Sequence, residues 1–233
     1  MSVFASLVER LADLLHPAFG ATAAAAAIIL FTAFVRLLVH PLSRAAARGQ
    51  KARTALQPRI AELRRKHAEN PEKLQRAVLE LHAEEKVSPL SGLLPSLCQM
   101  PAFFLLYHLF SSSSIGGEGN GLLGHRLFAA PLGDRWTDAL AGGGMFGAAG
   151  LVYLGLFAVV AAVASFNLVR AKRVPLPQVG GGEEVPGVGT IAKAMPFLSF
   201  FTLVTVAVVP LAAALYVITS TTWSALERAV LYR

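Results

Sequence analysis

Residues 28–43 read IILFTAFVRLLVHPLS, and three side chains in this apolar run can do chemistry: Thr32, Arg36 and His40. Spaced four apart, they fall on one face of a helix. A hydroxyl, a guanidinium and an imidazole on one stripe donate hydrogen bonds and hold positive charge. Such a face attracts carboxylates or other acidic groups; it is not built to break bonds. Other polar groups stand in apolar runs further on. Ser96 and Gln99 lie three apart between Pro95 and Pro101, and Tyr216, Thr219, Ser220 and Trp223 make an i, i+3, i+4, i+7 stripe. Ser199, Thr202 and Thr205 also step along one segment, but Ser and Thr in helices commonly bond their own backbone, which is the plainer reading of these three. Trp223, near the end of its run, reads first as an interfacial aromatic.

No phosphate-binding glycine loop, H-E-x-x-H zinc motif or nucleophile elbow occurs, so the chain is read as a non-enzyme without cofactor or metal. Cys98 is the single cysteine. It excludes an intramolecular disulfide, supplies no metal-site spacing, and reads as a small buried hydrophobe.

Composition says what must position these residues. Of 233 residues, 55% are hydrophobic and 15% charged, where a soluble domain carries about 25% charged residues. This is a membrane composition. A helix crossing the hydrocarbon core takes about 20 residues. Five segments qualify: 22–42, 89–111, 145–169, 192–208 and 210–227. Pro95 and Pro101 should kink the second, and Pro210 parts the fourth from the fifth as a tight hairpin. Residues 1–20 show neither a basic leader nor a cleavage pattern. Phe4, Leu7, Val8, Leu11, Leu14 and Leu15 recur there at helical spacing, so this segment is read as an amphipathic helix on the bilayer surface.

Five spans put the termini on opposite sides, and lysine and arginine choose the sides. Segment 44–86, loop 170–193 and the tail together hold 17 basic residues, against three on the other side. The expected topology is N-terminus outside and C-terminus cytoplasmic. Segment 44–86 is polar yet patterned: Leu56, Ile60 and Leu63 repeat helically, as do Leu74, Val78 and Leu81, with Asn70-Pro71 between. That predicts a cytoplasmic antiparallel helical hairpin with Pro71 in the first turn of its second arm. Eleven basic and six acidic residues there fit topology and solvation, and also fit docking of an acidic or RNA-rich partner. The outer loop 112–144 is small-residue-rich with scattered Leu, Phe and Trp, and is expected at the interface. Loop 174–190 is rich in Pro and Gly and is expected to be mobile.

Arg36 precedes Arg44 by eight residues, about 12 Å along a helix. A long side chain can snorkel that far toward headgroups. The stripe with Thr32 and His40 favours instead a face that lines water, and no acidic residue within the spans is on hand to neutralise the arginine. That absence also argues against a proton relay or cation pump. A hydrated positive face suits an acidic polypeptide passenger. The residues alone also fit a small-anion channel or transporter, though no inverted repeat of spans is visible, and a non-catalytic assembly scaffold.

Four stretches carry a family resemblance: FTAFVRLLVHPLS (31–43), KARTALQPRIAELRRKH (51–67), AEEKVSPLSGLLPSLCQMPAFFLLYHLF (83–110) and AMPFLSFFTLVTVAVVPLAAALYVITSTTWSALERAVLYR (194–233). In combination they resemble the YidC/Oxa/Alb membrane protein insertases. The resemblance implies an all-α polytopic protein, residues 21–233 forming the insertase core, with five transmembrane helices around a hydrophilic groove. The groove would open to cytoplasm and lipid and close to the outside. Arg36 matches the groove arginine, Thr32 the threonine one turn before it, Gln99 the glutamine of Q-M-P, and Tyr216 the closing tyrosine. Ser96 joins this set as a polar neighbour of Gln99, and His40 as the groove's cytoplasmic lip. The implied activity is nucleotide-independent insertion of nascent membrane proteins into the lipid bilayer. The implied partners are those nascent chains and lipid, with the ribosome, the signal recognition particle receptor and the Sec translocon, and no sequence-specific nucleic acid. The fifth span departs from the family pattern at Pro210-Leu211-Ala212-Ala213, at Val217, and at Thr219-Ser220-Thr221 in place of a usual asparagine. Without a large extracytoplasmic domain or long basic tail, a compact bacterial member is expected.

Overall fold

The structure, a computed structural model, describes residues 2–87, 94–115, 117–173 and 195–231. Eight α-helices carry the described fold: α1 (Ser2–Phe19), α2 (Ala23–Lys66), α3 (Pro71–Glu84), α4 (Leu94–Ser111), α5 (Trp136–Gly143), α6 (Ala148–Arg173), α7 (Phe201–Val208) and α8 (Leu211–Leu231). A 3-10 segment, Met195–Phe200, leads into α7. Loop 174–190 and the starts of the second and fourth candidate spans lie outside the described residues, as does the side chain of Cys98.

Among the described residues, two helical stretches are long and apolar enough to cross a membrane: Val3–Lys66 and Ala148–Arg170. They contain the first candidate span and all but the first three residues of the third. α8 does not meet that test, and its position explains why it need not. It touches α2, α4, α6 and α7, and every residue from Leu211 to Ile218 is buried. A central helix meets other helices rather than lipid, so it tolerates the polar run Thr219-Ser220-Thr221-Thr222.

Packing relies on small residues. Between helices in lipid there is little hydrophobic driving force, and close backbone approach takes its place. The alanine-rich start of α2 serves this purpose, with Ala23, Ala24, Ala25 and Ala27 buried, and Ala212, Ala213 and Ala214 do the same on α8. Gly20, at φ +52°, adopts the left-handed backbone that only glycine takes without strain. It reverses the chain so that α1 returns along α2, with Phe4 edge-on to Phe31 at 6.5 Å. The apolar stripe of α1 is thereby divided: Val8 is fully buried while Leu7 and Leu14 stay exposed. Its outward half is available to lipid and its inward half belongs to the core.

α2 runs without interruption through Pro41 and Pro58 for 44 residues, about 66 Å at 1.5 Å per residue. The first span and the first arm of the hairpin are therefore one rod. Asn70 accepts from the backbone N–H of Lys73 at 3.0 Å and Pro71 opens α3, an arrangement that satisfies an orphan donor at the helix start. Leu56 and Ile60 on α2 bury against Leu81 on α3 in a cluster separate from the main core, and Arg59 pairs with Glu85.

Segment 112–144, expected at the interface, has an order of its own among its described residues. Two short antiparallel ladders, Ser114–Ile115 with Glu118–Gly119 and Arg126–Leu127 with Ala130–Pro131, shape it. Leu122, Ala130 and Leu132 are fully buried. Asn120 ties it to the end of α4, donating through Nδ2 to the carbonyls of Leu109 at 2.8 Å and Ser112 at 3.0 Å. The carbonyls of Asp134 and Leu132 accept from Leu211 N at 2.8 Å and Ala212 N at 2.9 Å. Those are first-turn donors of α8 that have no partner within the helix.

Candidate functional site

α2 and α8 pack side by side, and two polar rungs join them. In the first, Arg36 Nε donates to Ser220 Oγ at 3.1 Å and an Arg36 NH2 group donates to the Ser220 carbonyl at 3.0 Å. In the second, His40 Nδ1 meets Glu227 Oε1 at 2.6 Å. Residues 36 and 40 are one turn apart on α2, and 220 and 227 two turns apart on α8. The stripe expected to face water is thus partly a helix–helix seam.

The arginine is the unusual member. Buried cations normally meet a carboxylate, because desolvating a charge is costly unless something opposite repays it. Here the partners are a hydroxyl and a main-chain carbonyl, both neutral. They satisfy donors without cancelling the charge. The Ser220 carbonyl also accepts from Ser224 Oγ at 3.0 Å. A half-buried guanidinium held this way projects positive potential from its remaining donors.

The second rung corrects the expectation that the spans offer no acid. Glu227, the last residue of the fifth candidate span, is a carboxylate whose side chain is only 12% exposed; it contacts His40 directly and acts on Arg36 through space. Its signal was present in the sequence, since it continues the Tyr216, Ser220, Trp223 face by helical spacing. Ser220 was visible in the same stripe and is the residue that holds the arginine.

Two expected site residues are buried rather than exposed to water. Thr32 is fully buried, and its hydroxyl donates to the carbonyl of Ile28 at 2.7 Å. A hydroxyl spent on its own helix, away from any surface, does not line water. Tyr216 is 2% exposed, and its ring lies between Phe103 at 5.9 Å and Phe110 at 6.0 Å, while its hydroxyl hydrogen-bonds the Ser220 side chain beside Arg36. It is part of the core cluster. His40 sits at the more open end of the seam, its side chain 34% exposed. Ser96 and Gln99 stand on α4, but their side chains lie outside the described residues.

Trp223 adds a feature its interfacial reading lacked. Its Nε1 is buried and has no hydrogen-bond partner among the described residues. A buried indole N–H without an acceptor is a liability unless something supplies one. It lies on the Ser220 face of α8, so that face carries donors in excess. Among the described residues there is no group of His, Cys, Asp or Glu side chains able to hold a metal.

The family described as 60Kd inner membrane protein matches residues 14–233. A protein of Clostridium perfringens named membrane protein insertase YidC is 44% identical over 84 residues, which is 36% of this chain and 35% of that protein. Proteins of the same name from Chloroherpeton thalassium and Chlorobium limicola are 40% and 41% identical over 86 residues, covering 37% of this chain and 15% of each relative. The aligned region therefore spans about a third of the first relative and far less of the others.

Proposed function

The chain belongs to the 60Kd inner membrane protein family, and from that premise we propose that it is a membrane protein insertase acting on nascent membrane proteins in a bacterial inner membrane. The observation that carries the mechanism is the Arg36–Ser220 rung: a positive charge within the α2–α8 seam whose direct partners are neutral, with Glu227 acting on it only through space.

In this reading the acidic or polar tail of a substrate enters a groove beside that seam. Arg36 attracts it, Trp223 Nε1 offers a donor, and Gln99 and Ser96 line the α4 side as the family pattern implies. Thr32 and Tyr216 back the groove by packing α2 and α4 against α8. His40 and Glu227 close the rung toward the cytoplasm. The substrate's apolar segment meanwhile partitions into lipid. Burying about 20 apolar residues is favourable enough to drive the step without nucleotide. The protein lowers the barrier by giving the polar tail a short, solvated path through hydrocarbon.

The architecture proposed for this work has five spans, at 22–42, 89–111, 145–169, 192–208 and 210–227, with the N-terminus outside. Residues 1–20 would lie at the outer interface and residues 21–233 would form the core. α1 packs against the Gly121–Gly124 turn of segment 112–144, which supports placing both on the same side. The α2–α3 hairpin would project into the cytoplasm to meet the substrate's ribosome, the signal recognition particle receptor or the Sec translocon.

Liposomes carrying the purified protein test the proposal with single-span substrates whose translocated tails are acidic or neutral. They should insert both better than empty liposomes, and Arg36→Ala should lower acidic-tail insertion about tenfold while neutral tails lose less than twofold. Equal losses would remove the charge mechanism. Anion flux through the same liposomes without insertion would replace it with a channel.

A further inference from the structure

The two rungs between α2 and α8 are electrically coupled. Arg36 bonds Ser220, and His40 meets Glu227 at 2.6 Å. Ser220 and Glu227 stand about 10 Å apart along α8, yet Glu227 acts on Arg36 through space. Partly buried charges are screened much less than exposed ones, and the Glu227 side chain is only 12% exposed. We propose that His40 and Glu227 are specificity-determining residues, which set how much of the Arg36 charge an acidic substrate tail meets. The inference rests on the insertase reading and adds to it what sets substrate preference.

The switch is the imidazole proton. With His40 neutral, the charges of Arg36 and Glu227 sum to zero, and an approaching carboxylate meets attraction and repulsion together. With His40 protonated, the seam carries one net positive charge, and the same carboxylate is drawn in. The geometry permits the exchange. Glu227 occupies Nδ1, so Nε2 is the nitrogen that gains or loses the proton, and the His40 side chain is 34% exposed, within reach of water. The contact persists in both states, as a hydrogen bond or as an ion pair, so charge changes without loss of the rung. Imidazole is the side chain that ordinarily makes this change between about pH 5 and 8.

The neighbouring charges shift the field without switching it. Arg44 follows His40 by one turn on α2 and is exposed. Arg228 also acts on Arg36, while its guanidinium reaches Asn167 Oδ1 on α6 at 3.5 Å and its carbonyl accepts from Arg170. Arginines stay charged and phenols neutral across this range, and Tyr216 is the phenol that acts on Arg36. Among the described residues, the other elements packed on α2 bring their titratable groups elsewhere. Phe4 already meets Phe31, so Glu9, Arg10 and Asp13 on α1 lie toward the start of α2. Arg126 lies there too, since its strand touches Gly20–Thr22. His108 meets Ser112 where α4 joins the outer segment, and α3 packs at Leu56 and Ile60, about four turns beyond His40.

Liposomes carrying the full chain, assayed at about pH 8 and about pH 5.5, test this through the ratio of acidic-tail to neutral-tail insertion. The tail carboxylates stay ionised at both values. In the wild type the ratio should rise about fivefold on acidification, between the limits Coulomb's law sets for one charge ~10 Å away in water and near a protein surface. His40→Gln should hold the ratio at its low value at both pH values, and His40→Lys at its high value. Glu227→Gln should give the high ratio already at the alkaline value. If Glu227→Gln does not fold, the two His40 variants carry the comparison. A rung that only braces the helices would lower the ratio in every variant, and that result overturns the proposal. So does a wild-type ratio that ignores pH while insertion itself persists. Failure of both substrates to insert better than in empty liposomes would instead overturn the insertase reading, and this inference with it.

Discussion

A guanidinium bonded to Ser220 Oγ and the Ser220 carbonyl keeps its field, since hydrogen bonds to neutral groups hold orientation without cancelling charge. Two substitutions separate these roles. Ser220→Asp should keep Arg36 in place as an ion pair while abolishing the preference for acidic tails in the liposome assay. Ser220→Ala should leave the charge and loosen its hold, lowering acidic-tail insertion several-fold, in line with the ~1.5–3 kcal/mol of a hydrogen bond to a charged group. Thr32→Val should change neither insertion nor thermal stability by more than about 1 kcal/mol, because the hydroxyl it removes bonds only its own helix. Thr32→Leu, by contrast, would overpack a fully buried position at a cost of about 1–3 kcal/mol. Thr32, Arg36 and His40 were legible as a stripe because helical spacing is local. Their different fates were not, because burial depends on what α8 and α1 bring alongside.

At the scale of elements, the structure contains two units that should respond separately. The α2–α3 hairpin holds its own cluster of Leu56, Ile60 and Leu81. Leu81→Ala should cost about 2–5 kcal/mol locally, read as lost hydrogen-exchange protection across residues 56–84 with no change in α8. The outer segment is coupled to the core instead. Asn120 bonds two carbonyls at the end of α4, so Asn120→Ala should lower global stability by about 1–3 kcal/mol, measured by thermal unfolding in detergent. The hairpin's turn was readable because Asn70 and Pro71 are strong local punctuation. The continuity of α2 was not readable as one element. SRAAARGQ at 43–50 contains no strong helix breaker, and polarity changes there without any change of backbone preference. The order within segment 112–144 was not readable for a related reason. Small residues give no periodicity, and its order comes from carbonyls that find partners on α8 and from buried Leu122 and Leu132.

For the whole molecule, the proposed orientation has a direct test. In a Cys98→Ser background, Phe128→Cys, exposed in the outer segment, should react with a membrane-impermeant maleimide in intact cells. Ala68→Cys, in the α2–α3 turn, should react only after permeabilisation. The reverse pattern would invert the topology. Composition, hydropathy and the distribution of lysine and arginine made the membrane class, the helical content and the family resemblance accessible without coordinates, since each depends on short windows of chain. Which groups meet across the seam is a different kind of information. Arg36 and Ser220 are 184 residues apart and His40 and Glu227 are 187 apart, and no local rule joins such positions. Tertiary packing alone decided that the arginine is held directly by neutral oxygens, that the acid contacts the histidine, and that α8 is packed among α2, α4, α6 and α7.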